Sequence, residues 1–277
     1  HILQLSGIGP GALSQLHGID VIYDQPNVGK HMQDHLGINY FHKANRPTLN
    51  NVLGSWPHLM LAGLNYIMRR KGPLSLGVNQ LGGLVRATPD APRLDTQLYI
   101  NPITYRVTEP RRRRLTKPDR EAGFIFSFNA CRPHSTGSVL IKSPDPMDAP
   151  SISGNYLDDS RDLEDVLRMA RFIGRMQYSR PVQQILASEP DCDLLAMSDD
   201  AIIDDFKLRC GTVFHPCGTC RMGPDRRHAV VDDDLRVYGV DRLRVADASV
   251  FPNITSANIN APTIMLAHKA ADLILQS

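Results

Sequence analysis

The residues best suited to chemistry lie in Phe214-His215-Pro216-Cys217-Gly218-Thr219-Cys220-Arg221-Met222-Gly223. A histidine titrates near ~6.5, so the neutral imidazole of His215 is a usable base at neutral pH. Pro216 fixes the backbone that follows it, and Gly218 admits a close approach by chain or ligand. A second stretch answers it downstream: Asp247-Ala248-Ser249, then Ser256-Ala257-Asn258-Ile259-Asn260-Ala261-Pro262-Thr263. Any pairing of His215 with Asn258 has to be made by the fold. Pro262 suits the first turn of a helix. The first amides of that helix lack intrahelical partners and carry partial positive charge, so Asn258 to Thr263 would aim donors at an anion or a developing negative charge. A structural histidine and a plainly capped helix are the competing readings, and the residues alone leave both open.

Other constellations are weaker. Cys217 and Cys220 form one CxxC, which would need Cys210, His215 or His228 to complete a zinc site. A redox dithiol wants a helix after the motif, and Gly223-Pro224-Asp225 forbids a long one. His31, Asp34 and His35 crowd together, but a metal needs a further ligand and a fixed helix face. Hydrogen-bonded structural residues are the reading preferred there, and no metal is expected. Asp232-Asp233-Asp234 lacks the alternating oxygens of a calcium loop and reads as a solvated turn.

Around these residues stands an ordinary globular composition: 277 residues, 42% hydrophobic, 22% charged, net charge +2. That balance demands neither nucleic acid nor an anionic membrane. Arg111 to Arg114, with Lys117 and Arg120, read as a solvated loop because no aromatics interleave with them. No apolar run reaches the ~20 residues of a membrane span. Five cysteines, an odd number, argue against a disulfide framework and make a reducing, cytoplasmic compartment the default. The sequence opens on His1 and enters structure at once, which suggests a piece of a longer chain.

The pattern predicts a helix through Ala12, Leu13 and Leu16 that stops at Gly18, and a short strand at Val21 to Tyr23. A helix over Ser55 to Lys71 is capped by Ser55 and closed by Gly72, with Leu59, Met60, Gly63, Leu64 and Ile67 able to share a face. Gly72 to Leu84, glycine-spaced and apolar, would line a cavity. Thr96 to Ile100 reads as a strand. Phe124 to Ala130 and Ser138 to Ile141 read as an antiparallel pair around a glycine-bearing loop. A helix follows Asp158 and Asp159 and runs to Gln177. Leu235 to Tyr238 and Leu243 to Ala246 read as strands around Gly239. The final helix, Pro262 to Leu275, is apolar enough to be expected in the interior.

Five ordered motifs then point to one family. Ser6-Gly7-Ile8-Gly9, Pro26-Asn27-Val28-Gly29-Lys30-His31-Met32-Gln33-Asp34-His35, Arg132-Pro133-His134-Ser135-Thr136-Gly137-Ser138-Val139, His215-Pro216-x-Gly218-Thr219-x-Arg221-Met222-Gly223, and Asp247-Ala248-Ser249 with Asn258-x-Asn260-Ala261-Pro262-Thr263 together resemble the C-terminal part of the glucose-methanol-choline (GMC) oxidoreductases. The nearest branch is the choline-dehydrogenase-like one. The resemblance is good over residues 1–40 and 131–277 and loose between.

This resemblance implies a mixed α/β fold: part of an FAD-binding Rossmann-like domain, and a substrate domain with a mostly antiparallel sheet flanked by helices. Residues 1–40 would belong with the FAD domain, 41–205 would form the substrate domain, and 206–277 would carry the active-site motif and return to the FAD domain, with Leu243 to Ala246 as a strand of that return. His215 falls at the family's catalytic histidine and would take an alcohol proton as hydride passes to flavin N5. Asn258, or failing it Asn260, would hydrogen-bond the substrate oxygen. Asp247 and Ala248 would touch the FAD diphosphate–ribityl region, and Asn260, Ala261 and Thr263 the pyrimidine edge. A base and a fixed donor both lower the barrier as alkoxide character develops. The implied partners are a small-molecule alcohol and an acceptor, oxygen or quinone-like. The family's Gly-x-Gly-x-x-Gly loop is absent from this sequence and is expected upstream. A hydroxynitrile-lyase-like enzyme on the same fold and an inactive fragment are the rival readings.

Overall fold

The computed structural model describes residues 1–77, 79–105 and 118–276. Arg111 to Arg114 and Lys117, expected in a solvated loop, lie outside the described residues. The strands in chain order are β1 (Ile8–Gly9), β2 (Tyr23–Asp24), β3 (Lys30–Met32), β4 (Leu36–Lys43), β5 (Leu81–Val85), β6 (Thr96–Asn101), β7 (Gly123–Ala130), β8 (Gly137–Leu140), β9 (Ser151–Ser153) and β10 (Gly211–Thr212). The α-helices are α1 (Ile2–Leu5), α2 (Gly11–Leu16), α3 (Leu49–Leu53), α4 (Trp56–Arg69), α5 (Ser160–Gln177), α6 (Arg180–Gln183), α7 (Asp199–Arg209) and α8 (Asn260–Leu275). They divide between two compact units: His1–His35, Arg132–Asp162 and Thr212–Ser277 in one, Leu36–Cys131 and Leu163–Gly211 in the other.

In the first unit β1 and β2 pair in parallel, and β3, β8 and β9 form an antiparallel sheet in that order. The short run Ile2 to Leu5 makes one helical turn. Its buried Gln4 ties that turn to the sheet: Nε2 donates to the Val139 carbonyl at 2.9 Å, and Oε1 accepts from Ile141 N–H at 2.8 Å. Gly29 sits against this amide with φ 85°, and a Cβ there would lie 2.3 Å from both Gln4 Nε2 and Val139 O. No side chain fits that position. The core gathers Val28, Val230, Val231, Leu235, Val250 and Ile254. It therefore joins the start of the chain to residues past 217, as its motif order requires.

Two strand expectations fail here. Leu235 to Tyr238 and Leu243 to Ala246 make only isolated bridges, Val231 with Val237 and Arg236 with Arg244. Leu235 (φ 65°) and Arg242 (φ 59°) adopt left-handed backbone, which breaks extended chain inside the first expected strand and just before the second. The anticipated pair of Phe124 to Ala130 with Ser138 to Ile141 does not form either. β7 pairs with β4 and β6, whereas β8 pairs with β3 and β9. The loop between them is no hairpin turn, because the Asp162 carboxylate accepts the N–H groups of His134 (2.7 Å) and Ser135 (2.9 Å). Helix α8 is also not interior. Leu266 and Ala270, one turn apart, are buried, while Ile264 is 53% and Met265 60% exposed. Within its unit, Leu266 and Ala270 are the helix residues buried in the core.

The second unit is built on a sheet in the order β10-β4-β7-β6-β5, antiparallel at each described pair. Phe124, Phe126 and Phe128 alternate onto one face of β7, with Tyr40 stacked on Phe128 at 5.9 Å and Phe206 of α7 at 6.2 Å. The other face carries hydrogen-bonded polar side chains, Asn39 with Ser127 at 2.5 Å and Asn129 with Gln97 at 3.5 Å. Arg209 closes one edge of this core. It pairs with Asp205, donates to the Asn39 carbonyl at 2.9 Å and lies 4.7 Å over the Tyr40 ring. Helix α4 starts after Ser55 as its sequence predicts, but it ends in a left-handed Arg70 (φ 53°) before Gly72 is reached. It turns Ala62 inward and leaves Met60, Leu64 and Ile67 exposed. Among the described residues of Gly72 to Leu84 are a 3-10 turn at Pro73–Ser75 and the start of β5.

Gln4→Leu keeps the volume of this buried side chain but strands the Ile141 N–H and the Val139 carbonyl. The expected loss of stability is about 1–3 kcal/mol. Gln15→Leu, at an exposed position of α2, should stay within about 0.5 kcal/mol. Urea unfolding of the two variants beside the parent checks the difference.

Candidate active site

The run Gly29 to His35 lies alongside Val213 to Thr219 and is laced to it by backbone hydrogen bonds. Gly29 N–H donates to Thr219 O at 2.8 Å, Gln33 and Cys217 exchange bonds at 3.0 and 2.9 Å, and Val213 N–H donates to His35 O at 2.9 Å. Gly218 (φ 86°) passes so close to the other segment that a Cβ would fall 2.5 Å from His31 O. The glycine that admits a close approach is therefore used by the chain itself. Gln33 adds a side-chain clamp, donating to Pro133 O at 2.8 Å and accepting from Ile254 N–H at 3.0 Å.

Asp34 then fixes the turn that presents His215. Its buried carboxylate accepts the His215 N–H at 2.8 Å and the Tyr156 hydroxyl at 2.7 Å, and it bonds the Thr212 hydroxyl as well. The Thr212 oxygen in turn accepts from Phe214 N–H at 2.9 Å. This brace holds Phe214 in left-handed backbone (φ 62°) with its ring exposed, directly before the histidine. A bulky residue in that region stores strain that its neighbours must hold.

The His215 ring is 8% exposed. Its Nδ1 lies 2.9 Å from Nδ1 of the wholly buried His35, with the rings edge-on at 84°. On the other side the Asn258 amide Nδ2 lies 3.1 Å from His215 Nε2, across 43 positions of sequence. Burial pulls the His215 pKa below its ordinary value, and the Asp34 charge only partly offsets this. The ring is thus neutral at neutral pH.

The remaining sequence candidates lie on the adjoining segments. Ala248 O accepts from Gly218 N–H at 3.4 Å, and Ser249 O accepts from Cys220 N–H at 2.8 Å, so Asp247 and Ala248 run beside the histidine motif. Asp247 caps its own turn by accepting Ser249 N–H at 2.8 Å. Asn260 and Ala261 open α8 two residues beyond Asn258 and are exposed. Ile259 at the N-cap offers no side-chain cap. The first-turn N–H groups of this 16-residue helix therefore have no side-chain acceptor at the N-cap, and they carry the partial positive charge of a helix start. Thr263 spends its hydroxyl on Ile259 O at 2.8 Å, so it braces the turn.

The two motif cysteines are core residues. Burial, with the Asp34 charge behind it, pushes the Cys217 thiol up to about 12, and burial raises Cys220 as well. Neither supplies a thiolate at neutral pH. Among the described residues no group of three His, Cys, Asp or Glu is arranged to hold a metal. The sequence reading did not assign Gln33, Asp34, His35, Tyr156 or Thr212 to the site. The polar run at 33 to 35, with no helix cap to serve, was the available signal.

Comparisons with known proteins identify what the chain is similar to. Residues 133–267 match the GMC oxidoreductase family model. An alcohol dehydrogenase [acceptor] from Pseudomonas putida is 38% identical over 99% of this chain and 49% of that protein. An oxygen-dependent choline dehydrogenase from Brucella ovis is 34% identical over the same shares, 99% and 49%. The chain thus spans about half the length of the curated relatives it matches. Among solved structures, a formate oxidase superposes with a TM-score of 0.88 at 26% identity, over 98% of this chain and 51% of that one. A pyridoxine 4-oxidase from Mesorbium loti superposes at 0.79 and 28%, over 99% and 49%. The histidine motif and the Asn258 segment both lie inside the region that matches the GMC oxidoreductase model, so over residues 133–267 the chain is similar to that family.

Proposed function

We propose that this chain supplies the base and the closing flavin segment of an FAD-dependent oxidoreductase that converts an alcohol to an aldehyde or ketone. The carrying observation is the meeting of His215 Nε2 with the Asn258 amide at 3.1 Å, on a ring held at its other nitrogen and kept neutral by burial. The curated names alcohol dehydrogenase and choline dehydrogenase support the same reading. FAD, when bound, supplies the acceptor for hydride from the alcohol carbon.

The chain's own residues do the rest. His215 Nε2 takes the hydroxyl proton, and Asn258 Nδ2 donates to the substrate oxygen as negative charge grows on it. When FAD is bound, the N–H groups of Asn260 and Ala261 at the start of α8 would hold the flavin at its electron-rich pyrimidine edge. Asp247 and Ala248, which run beside the histidine motif, would hold the diphosphate–ribityl part of FAD. Residues 1–40 and 206–277 belong to the FAD side of the protein, and 41–205 to the substrate side. The alcohol is a small molecule, and oxygen or a quinone-like compound takes the electrons in the second half-reaction.

Two outcomes test this in the complete encoded protein. His215→Ala should slow anaerobic flavin bleaching by an alcohol about 100-fold or more, with flavin absorbance per protein unchanged. Bleaching at the parent rate would remove His215 from the role of base. The same rate, followed against pH, should hold steady at neutral pH. It should fall only as pH drops through the His215 pKa, below the ordinary ~6.5 of histidine, because burial lowers that pKa and the neutral ring is the active form. A fall that begins well above pH ~7 would contradict the assignment.

A further inference from the structure

We infer that His35 is a positioning residue for His215, holding the tautomer that leaves Nε2 free to take a proton; this rests on the reading of His215 as the base. The two Nδ1 atoms lie 2.9 Å apart, and both rings are buried. A contact between two neutral imidazole nitrogens needs one N–H and one lone pair. The structure decides which is which through Asn258. An amide nitrogen can only donate, and Asn258 Nδ2 lies 3.1 Å from His215 Nε2. That nitrogen therefore carries the lone pair. The single proton of neutral His215 is on Nδ1 and points at His35 Nδ1, and His35 carries its own proton on Nε2.

This arrangement has two effects on the proposed reaction. It removes the alternative tautomer of His215, in which Nε2 would be blocked by a proton. It also serves the product of proton transfer. When the alcohol O–H bond breaks and an N–H bond forms at Nε2, the ring becomes a cation whose Nδ1–H is already directed at the His35 lone pair. A hydrogen bond to the charged form favours it. The Asp34 carboxylate does not take this role. It engages the His215 backbone N–H and the Tyr156 and Thr212 hydroxyls. The titratable side chains in this cluster are Asp34, His35, Tyr156, His215 and the protonated Cys217, and the Asp34 carboxylate lies on the backbone side of the histidine.

The test uses the complete FAD-loaded protein with His35→Leu, His35→Asn and His215→Ala. The Asn side chain returns an acceptor near the place of the imidazole Nδ1; Leu returns none. Anaerobic flavin reduction is followed across pH, with flavin content and circular dichroism as structural checks. His35→Leu should lower the plateau rate by up to about 100-fold, the scale for a base that is kept but misplaced. It should also move the acid limb to lower pH, since the imidazolium loses its acceptor. His35→Asn should restore most of the rate and the parent profile. Parent-like rate and pH profile in His35→Leu overturn the inference, and so do Leu and Asn variants slowed alike on an unmoved profile. Should His215→Ala bleach at the parent rate, the base reading itself falls. If it is slow while His35→Leu is parent-like, only the role of His35 falls. A second measurement needs no variant: nitrogen-15 NMR of the imidazoles in the parent protein. A His215 protonated at Nδ1 supports the tautomer, and one protonated at Nε2 overturns it even if His35→Leu fails to fold.

Discussion

The site hangs on one buried carboxylate. Asp34 accepts from the His215 backbone and from two hydroxyls, and it does so where water is excluded. A carboxylate so placed would be costly to bury alone, and its three donors make the burial tolerable. What it obtains in return is geometric. The turn from Thr212 to His215 contains a left-handed Phe214, a conformation a bulky residue does not hold unaided. With that turn fixed, the imidazole has one orientation, and both of its nitrogens find partners already in place.

The rest of the first unit can be understood as support for that carboxylate. Asp34 is carried on a segment laced from Gly29 to His35 against Val213 to Thr219. That segment is itself fixed where Gly29 presses on Gln4 and Val139. Gln33 ties the same segment to Pro133 and to Ile254, four residues before Asn258. One polar run of three residues thus sets the positions of His215, the Pro133 loop and the approach to α8 together. Polar side chains outperform apolar packing here because a hydrogen bond fixes direction as well as distance.

Much of this was legible in the sequence, and the boundary of legibility is physical. Helices α2, α4 and α5 follow from spacing, caps and glycine stops, which act over a few residues. His215 and Asn258 were legible through residue chemistry and family resemblance, and the fold brings them to 3.1 Å. Strand partnership was not legible: Phe124 to Ala130 and Ser138 to Ile141 both look extended, yet each pairs elsewhere. Pairing is decided by distant partners that leave no local signature. Leu235 and Arg242 likewise show no sign of their left-handed backbone, and they break strands that composition suggests. The Gln33-Asp34-His35 run was visible as polar, but its purpose depends on residues about 180 positions away.

The electrostatics of His215 follow from the side on which Asp34 approaches. A carboxylate on the ring nitrogen, as in a serine-protease triad, favours the charged imidazolium strongly. Here the carboxylate grips the backbone amide, so its charge reaches the ring only through space, and burial outweighs it. The ring nitrogen instead meets another imidazole. Under the proposed function, the outcome would be a base that stays neutral until a proton is offered and then finds an uncharged acceptor for its other N–H. In the proposed reaction, such a base would take the hydroxyl proton as hydride leaves the alcohol carbon. A permanently charged ring could accept nothing, and a fully desolvated ring without an acceptor at Nδ1 would hold its new proton poorly.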